Sequence, residues 1–190
     1  MKPTLAFAIS IAFLVLLPAG FARADWDAKH LKQVRSAQTS LRAAVLAAER
    51  ELKGKAYFAL ANTPSDAVTY TIRLDVGDKA MIAQVDAKTG KISESGPFGG
   101  EPAAFLKEFS KLKGSLLAAM KAAESTAKGK SFQAQFKRVG NKDVFEVDIA
   151  GRDDVEKDVV VDAATGKIRK VAEKSRETGS TTPAAGAAVQ

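Results

Sequence analysis

The chain has 190 residues, with 29 Lys and Arg against 22 Asp and Glu, one His and no Cys. Without cysteine there is no disulfide, no lipid attached to a thiol and no thiolate metal centre, and one histidine does not build a transition-metal site. The net charge of +7 is spread, without a basic block or aromatics spaced to stack bases, so the composition argues against nucleic acid as a partner.

The first 24 residues read as a leader. Lys2 supplies a positive start, Leu5 to Leu17 form an apolar run, Pro18 and Gly20 break it, and Ala22-Arg23-Ala24 offers the small residues a signal peptidase reads. Cleavage is expected between Ala24 and Asp25, giving a periplasmic or secreted protein. The apolar run falls short of the roughly 18–20 residues that span a bilayer, so no stable membrane anchor is expected.

Helical spacing comes next. Trp26, Leu31 and Val34, then Leu41, Ala44, Val45, Ala48 and Leu52, recur on one face. Ser40 is a candidate N-cap, Gly54 a candidate stop, and Gln38-Thr39 leaves a continuous helix open. Glu49 and Lys53 stand four apart, the spacing of an exposed ion pair. A first strand follows from Tyr57 to Ala61. The second is clearer, with Val68, Tyr70, Ile72, Leu74 and Val76 alternating with polar residues, so one face is buried and one wet. A third strand leads into Val85-Asp86-Ala87-Lys88-Thr89-Gly90-Lys91-Ile92. There Asp caps free backbone N–H groups, Gly takes positive φ, and Ile starts a short fourth strand.

The same order then returns at an offset of 75 residues. Phe105, Leu106, Phe109 and Leu112 lead into Leu116, Met120 and Ala123, with Gly114 as a break and Ser115 as a second candidate N-cap. Glu124-Lys128 repeats the charged spacing and Gly129 the stop. Phe145, Val147 and Ile149 alternate with Glu146 and Asp148. Val161-Asp162-Ala163-Ala164-Thr165-Gly166-Lys167-Ile168 closes the second copy, one residue late. The expected fold is α+β, as two tandem repeats at 25–99 and 100–173, each an N-terminal helical segment packed on a small antiparallel β-sheet. Gly96 to Gly100 is the expected joint, and 174–190, rich in Thr, Gly, Pro and Ala, reads as a disordered tail. Divided after Gly99, the mature halves carry +2 and +3.

Helix with Leu-x-x-Ala and Ala-Glu, then Gly-Lys, alternating strands and a closing Val-Asp-Ala-x-Thr-Gly-Lys-Ile resembles the PepSY domain family. Both units carry the pattern. The resemblance implies an exported, non-catalytic domain of helix on antiparallel sheet. Members occur in propeptides of thermolysin-like metallopeptidases, and the family is proposed to restrain peptidases. It implies a protein or peptide partner, such as a peptidase, with no cofactor and no catalytic residue to transfer.

The residues add no chemistry of their own. His30 sits on the leading helix, and Phe105 takes its place in the second unit. Asp153, Asp154, Glu156 and Asp158 lack the spacing and mid-loop Gly of a calcium loop. Asp86 and Asp162, with Gly90 and Gly166, have turn-building tasks, and the chain is read as non-enzymatic. One asymmetry stands out in the first strand. Phe58 and Leu60 occupy outward positions that the second unit fills with Gln133 and Gln135. They are a candidate partner surface; the competing reading packs them internally, near the second leading helix or Phe98. A small-molecule or ion carrier of the cell envelope is the alternative function.

Overall fold

The computed structural model describes residues 28–64, 67–152 and 155–174. The leader, Trp26, Asp153, Asp154 and the tail beyond Lys174 lie outside the described residues. Helices α1 (Ala28–Ser36) and α2 (Leu41–Leu52) precede strands β1 (Lys55–Asn62), β2 (Thr69–Asp75), β3 (Ala80–Asp86) and β4 (Ile92–Pro97). Helices α3 (Ala103–Ser110) and α4 (Leu116–Ala127) precede β5 (Gly129–Val139), β6 (Lys142–Gly151), β7 (Glu156–Asp162) and β8 (Ile168–Glu173).

The sequence pattern implies two small sheets. Instead all eight strands form one antiparallel sheet in the order β4-β3-β2-β1-β5-β6-β7-β8. The two first strands meet back to back, with Phe58, Ala59 and Leu60 opposite Gln135, Ala134 and Gln133. Neither edge of that pairing is visible to local periodicity, which reports a strand's faces and not its neighbours. β4 runs through Gly96 and Pro97, so the joint between the halves begins at Phe98, later than the Gly-Pro pair suggested.

Helices cover one face of the sheet and build the core there. Tyr57, Ala59, Tyr70, Ile72, Phe136, Phe145, Val147 and Val161 are buried against Leu31, Val34, Leu41, Val45, Phe109, Leu116 and Met120. The halves are braced across the middle. The α3 rings of Phe105 and Phe109 meet Tyr57 of β1 at 5.3 and 5.7 Å and Phe136 of β5 at 5.8 and 5.3 Å, within the range of favourable edge and tilted packing. Lys55 donates to the Leu112 carbonyl at 2.5 Å and Lys130 to the Arg35 carbonyl at 2.6 Å. Each lysine therefore crosses to the end of the other half's leading helix.

Helix starts follow the sequence closely. The hydroxyls of Ser40 and Ser115 accept from Ala43 N–H and Ala118 N–H, both at 3.2 Å, and the chain breaks before both Ser40 and Ser115. The stops differ in detail. The left-handed residue ending each long helix is Lys53 or Lys128, both with φ 52°, and not the glycine after it. Gly54 and Gly129 are needed for closeness. A Cβ on Gly54 would lie 2.7 Å from Val76 Cγ2, and one on Gly129 would lie 2.4 Å from the Ala150 carbonyl oxygen.

The repeated glutamates also do something other than pair along the helix. Glu49 Oε1 accepts from Ala56 N–H at 2.9 Å; Glu124 Oε1 accepts from Ser131 N–H at 3.2 Å and from the Ser131 hydroxyl at 2.7 Å. Each ties the last turn of a helix to the start of the strand it precedes. The register of β1 slips at Ala56/Phe58 and that of β5 at Ser131/Gln133, so a strand N–H needs an acceptor near each bulge. Arg42 Nε, from the first half, bonds the other oxygen of Glu124 at 2.8 Å. Burial raises the pKa of Glu49, against the lowering effects of the Ala56 N–H and Lys55.

Candidate interaction surface

The face of the sheet away from the helices is polar and half-buried, and it holds the residues singled out by the asymmetry. At its centre Asn62 Nδ2 donates to the Thr71 hydroxyl at 2.8 Å, and that hydroxyl donates to Gln84 Oε1 at 3.0 Å. Gln135 Nε2 donates to Glu146 at 3.2 Å across β5 and β6, and Lys137 pairs with the same carboxylate. Leu60 lies half-buried among these groups. Phe58 is only 7% exposed. The Arg73 guanidinium stacks over its ring at 4.6 Å and over the Phe98 ring at 4.2 Å. Such a cation between two rings is favourable and increasingly so when desolvated. Glu101, at 3.5 Å from Arg73, closes the group; burial raises its pKa although Arg73 opposes the shift. Phe58 is thus under cover, while Leu60 remains at the surface. Sequence reasoning missed Arg73, because its pairing with Phe98 and Glu101 spans the joint.

The turn residues are placed alike in both halves. Asp86 Oδ1 accepts from Lys88 N–H at 3.0 Å, Thr89 N–H at 2.7 Å and the Thr89 hydroxyl at 2.9 Å. Asp162 Oδ1 accepts from Ala164 N–H, Thr165 N–H and the Thr165 hydroxyl at 3.0, 2.7 and 2.9 Å. Gly90 and Gly166 follow with φ of 72° and 70°, a region that glycine adopts without strain. These hydrogen bonds hold the Asp86 carboxyl below the usual carboxylate range. For Asp162 the guanidinium of Arg169 is the largest cause, with the Thr165 donors behind it. A carboxylate whose folded pKa is lowered contributes stability above the ordinary range near pH 4, and that contribution disappears as pH falls through the folded value. The gap in melting temperature between the native chain and Asp162→Asn should therefore be full above about pH 5 and close progressively below about pH 4. Thermal melts at stepped pH measure it, and a gap independent of pH would contradict the assignment.

No group of three or more His, Cys, Asp and Glu is arranged for a metal among the described residues. Glu156 and the buried Asp148 both pair with Lys174. Among the described residues no helix is long and apolar enough to cross a membrane.

With this geometry in view, comparison with protein families finds a match over residues 113–172 to PepSY, described as "Peptidase propeptide and YPEB domain". Residues 113–172 form a PepSY domain. The domain starts at the residue before Gly114 and takes in α4 and β5–β7 with most of β8, but not α3. No curated protein matches the chain. Among solved structures, a chain described as a lipoprotein from Clostridium difficile 630 shares 16% identity, covering 75% of this chain and 97% of its own, with a TM-score of 0.44. The YpmB protein from Bacillus subtilis shares 19% identity over 61% of this chain and 82% of its own, with a TM-score of 0.33.

Proposed function

We propose that this protein is an exported, non-catalytic module of two PepSY units, 25–99 and 100–173, that binds an extended segment of another protein and thereby restrains a peptidase. The PepSY match, with its link to peptidase propeptides, carries the reading. A duplicated unit is supported by the twice-occurring helix, helix and four strands, by the matched serine caps, and by the two Asp-Thr-Gly turns with the same donors. Export is supported by the leader's charged start, apolar run and Ala-x-Ala end.

A free sheet edge provides the physical route, because an extended peptide can add to it as one more strand. The two edges differ. β8 carries Arg169 and Lys170 exposed to solvent, the kind of charge that discourages edge pairing. β4 carries one charge, Glu94, with Ser93, Ser95 and Gly96, before Pro97 ends it, so it is the less charged edge. The test is inhibition of exported peptidases from the host's own culture, followed by hydrogen exchange on any complex. Slowed exchange along β4 with loss of peptidase activity is expected. Full activity across the panel sinks the restraint; inhibition with protection confined elsewhere sinks the edge route.

A further inference from the structure

The charge of the chain is distributed by layer. Segments 28–53 and 103–128, which contain the four helices and their short connections, hold eleven Lys and Arg against four Asp and Glu. That is a net +7, the net charge of the whole chain, so every remaining segment taken together sums to zero. Divided along the sequence the halves look almost equal, and the asymmetry emerges only when the helices assemble on one side of the sheet.

Within this layer ten of the cations are exposed, but only two of the carboxylates, Glu51 and Glu108. Glu49 and Glu124 are turned to the strand starts, Glu124 also pairing with Arg42 at 2.8 Å, and Glu108 is engaged by Lys111 at 2.7 Å. Eight of the eleven cations are lysines, flexible point charges without the planar fork that reads a particular carboxylate pair. They are distributed over all the helical segments instead of converging on one cavity. Leu46, 38% exposed, stands between Arg42 and Arg50 on one stripe of α2, an apolar side chain framed by long cationic ones. Such a layer suits a broad negative plane with an apolar interior just beneath it.

We propose that the helical layer docks this protein on the surface of a lipid bilayer carrying anionic head groups, leaving the polar face of the sheet and edge β4 toward solvent. The attraction is electrostatic and peripheral, and it fades beyond a Debye length. Each lysine near such a surface strengthens binding about fivefold.

The experiment sediments the mature chain with vesicles of phosphatidylglycerol mixed with phosphatidylcholine, and with vesicles of phosphatidylcholine alone. Binding to the first only, lost at high salt, is expected. The triple variant Lys107→Glu, Lys113→Glu and Lys121→Glu should bind at least about a hundredfold more weakly. The control Lys88→Glu, Lys142→Glu and Lys170→Glu changes net charge equally but lies outside the layer, and it should stay within a few-fold of the native chain. Matched melting temperatures establish that the variants are folded, and the corresponding Gln substitutions replace any that is not. Absence of binding to the anionic vesicles at low salt overturns the proposal. Equal loss in both triple variants overturns it too, as does a preference for soluble polyglutamate over the vesicles, which would assign the layer to an acidic protein.

Discussion

Gly114→Ala is expected to destabilise the fold by about 3 kcal/mol, the upper end of what overpacking costs. A Cβ at this position would fall 1.9 Å from the Ala163 carbonyl oxygen and 3.5 Å from the Phe145 ring. The obstacle is backbone, held by the Asp162 turn on one side, and Gly114 itself lies next to the Ser115 cap of α4. Relief therefore requires moving α4 or the β7–β8 turn. Thr39 occupies the corresponding place in the first half, where its N–H reaches the Ala87 carbonyl at 2.9 Å and a side chain fits. Gly140→Ala is the contrast. Gly140 has φ of 60° with nothing within 4 Å of an added Cβ, so it should lose only about 1 kcal/mol to backbone strain. Urea unfolding of both variants measures the difference, and similar losses would refute the close approach.

Phe109→Ala should cost about 3–5 kcal/mol, as for other fully buried aromatics. Phe109 is fully buried and touches Tyr57, Phe105 and Phe136, with Lys55 Nζ 4.9 Å above its ring. The lost ring leaves a cavity under α3 over Tyr57 of β1 and Phe136 of β5, so the damage reaches both halves at once. A single unfolding transition shifted to lower urea is expected for Phe109→Ala. Two separated transitions would show that the halves are stabilised independently and that α3 does not brace them.

Much of the fold was legible because its signals are local. Ser40 and Ser115 cap helices through residues three positions on, and Asp86 and Asp162 close turns within five, so spacing alone carries the chemistry. The strand faces were equally plain, since burial on one side imposes a period of two on Tyr70, Ile72 and Leu74. What escaped depends on residues distant in the chain. The joining of β1 to β5 has no sequence period. Glu49 and Glu124 sit at helix spacing from a lysine and yet bond the strands, because the bulged strand starts compete for the same oxygens. Phe58 reads as outward, which is correct for its face, but its cover comes from Arg73, whose guanidinium also meets Phe98 forty residues beyond Phe58. Phe58 is therefore covered, and Leu60, on the same face of β1, is half-buried. The charged layer was hidden for a similar reason, since counting along the chain averages over the two sides of the molecule.

The central seam is short. Three residue pairs join β1 to β5, against seven between β2 and β3. A load that pulled the two halves apart would meet little resistance from the backbone there and would have to be carried by the rings of α3 and by Lys55 and Lys130. Should those braces yield first, β1 and β5 would both be bared at once, one rim carrying three alanines with Tyr57 and Phe58, the other Ala134 with Phe132 and Phe136. Stickiness would then set in before the strands themselves melted.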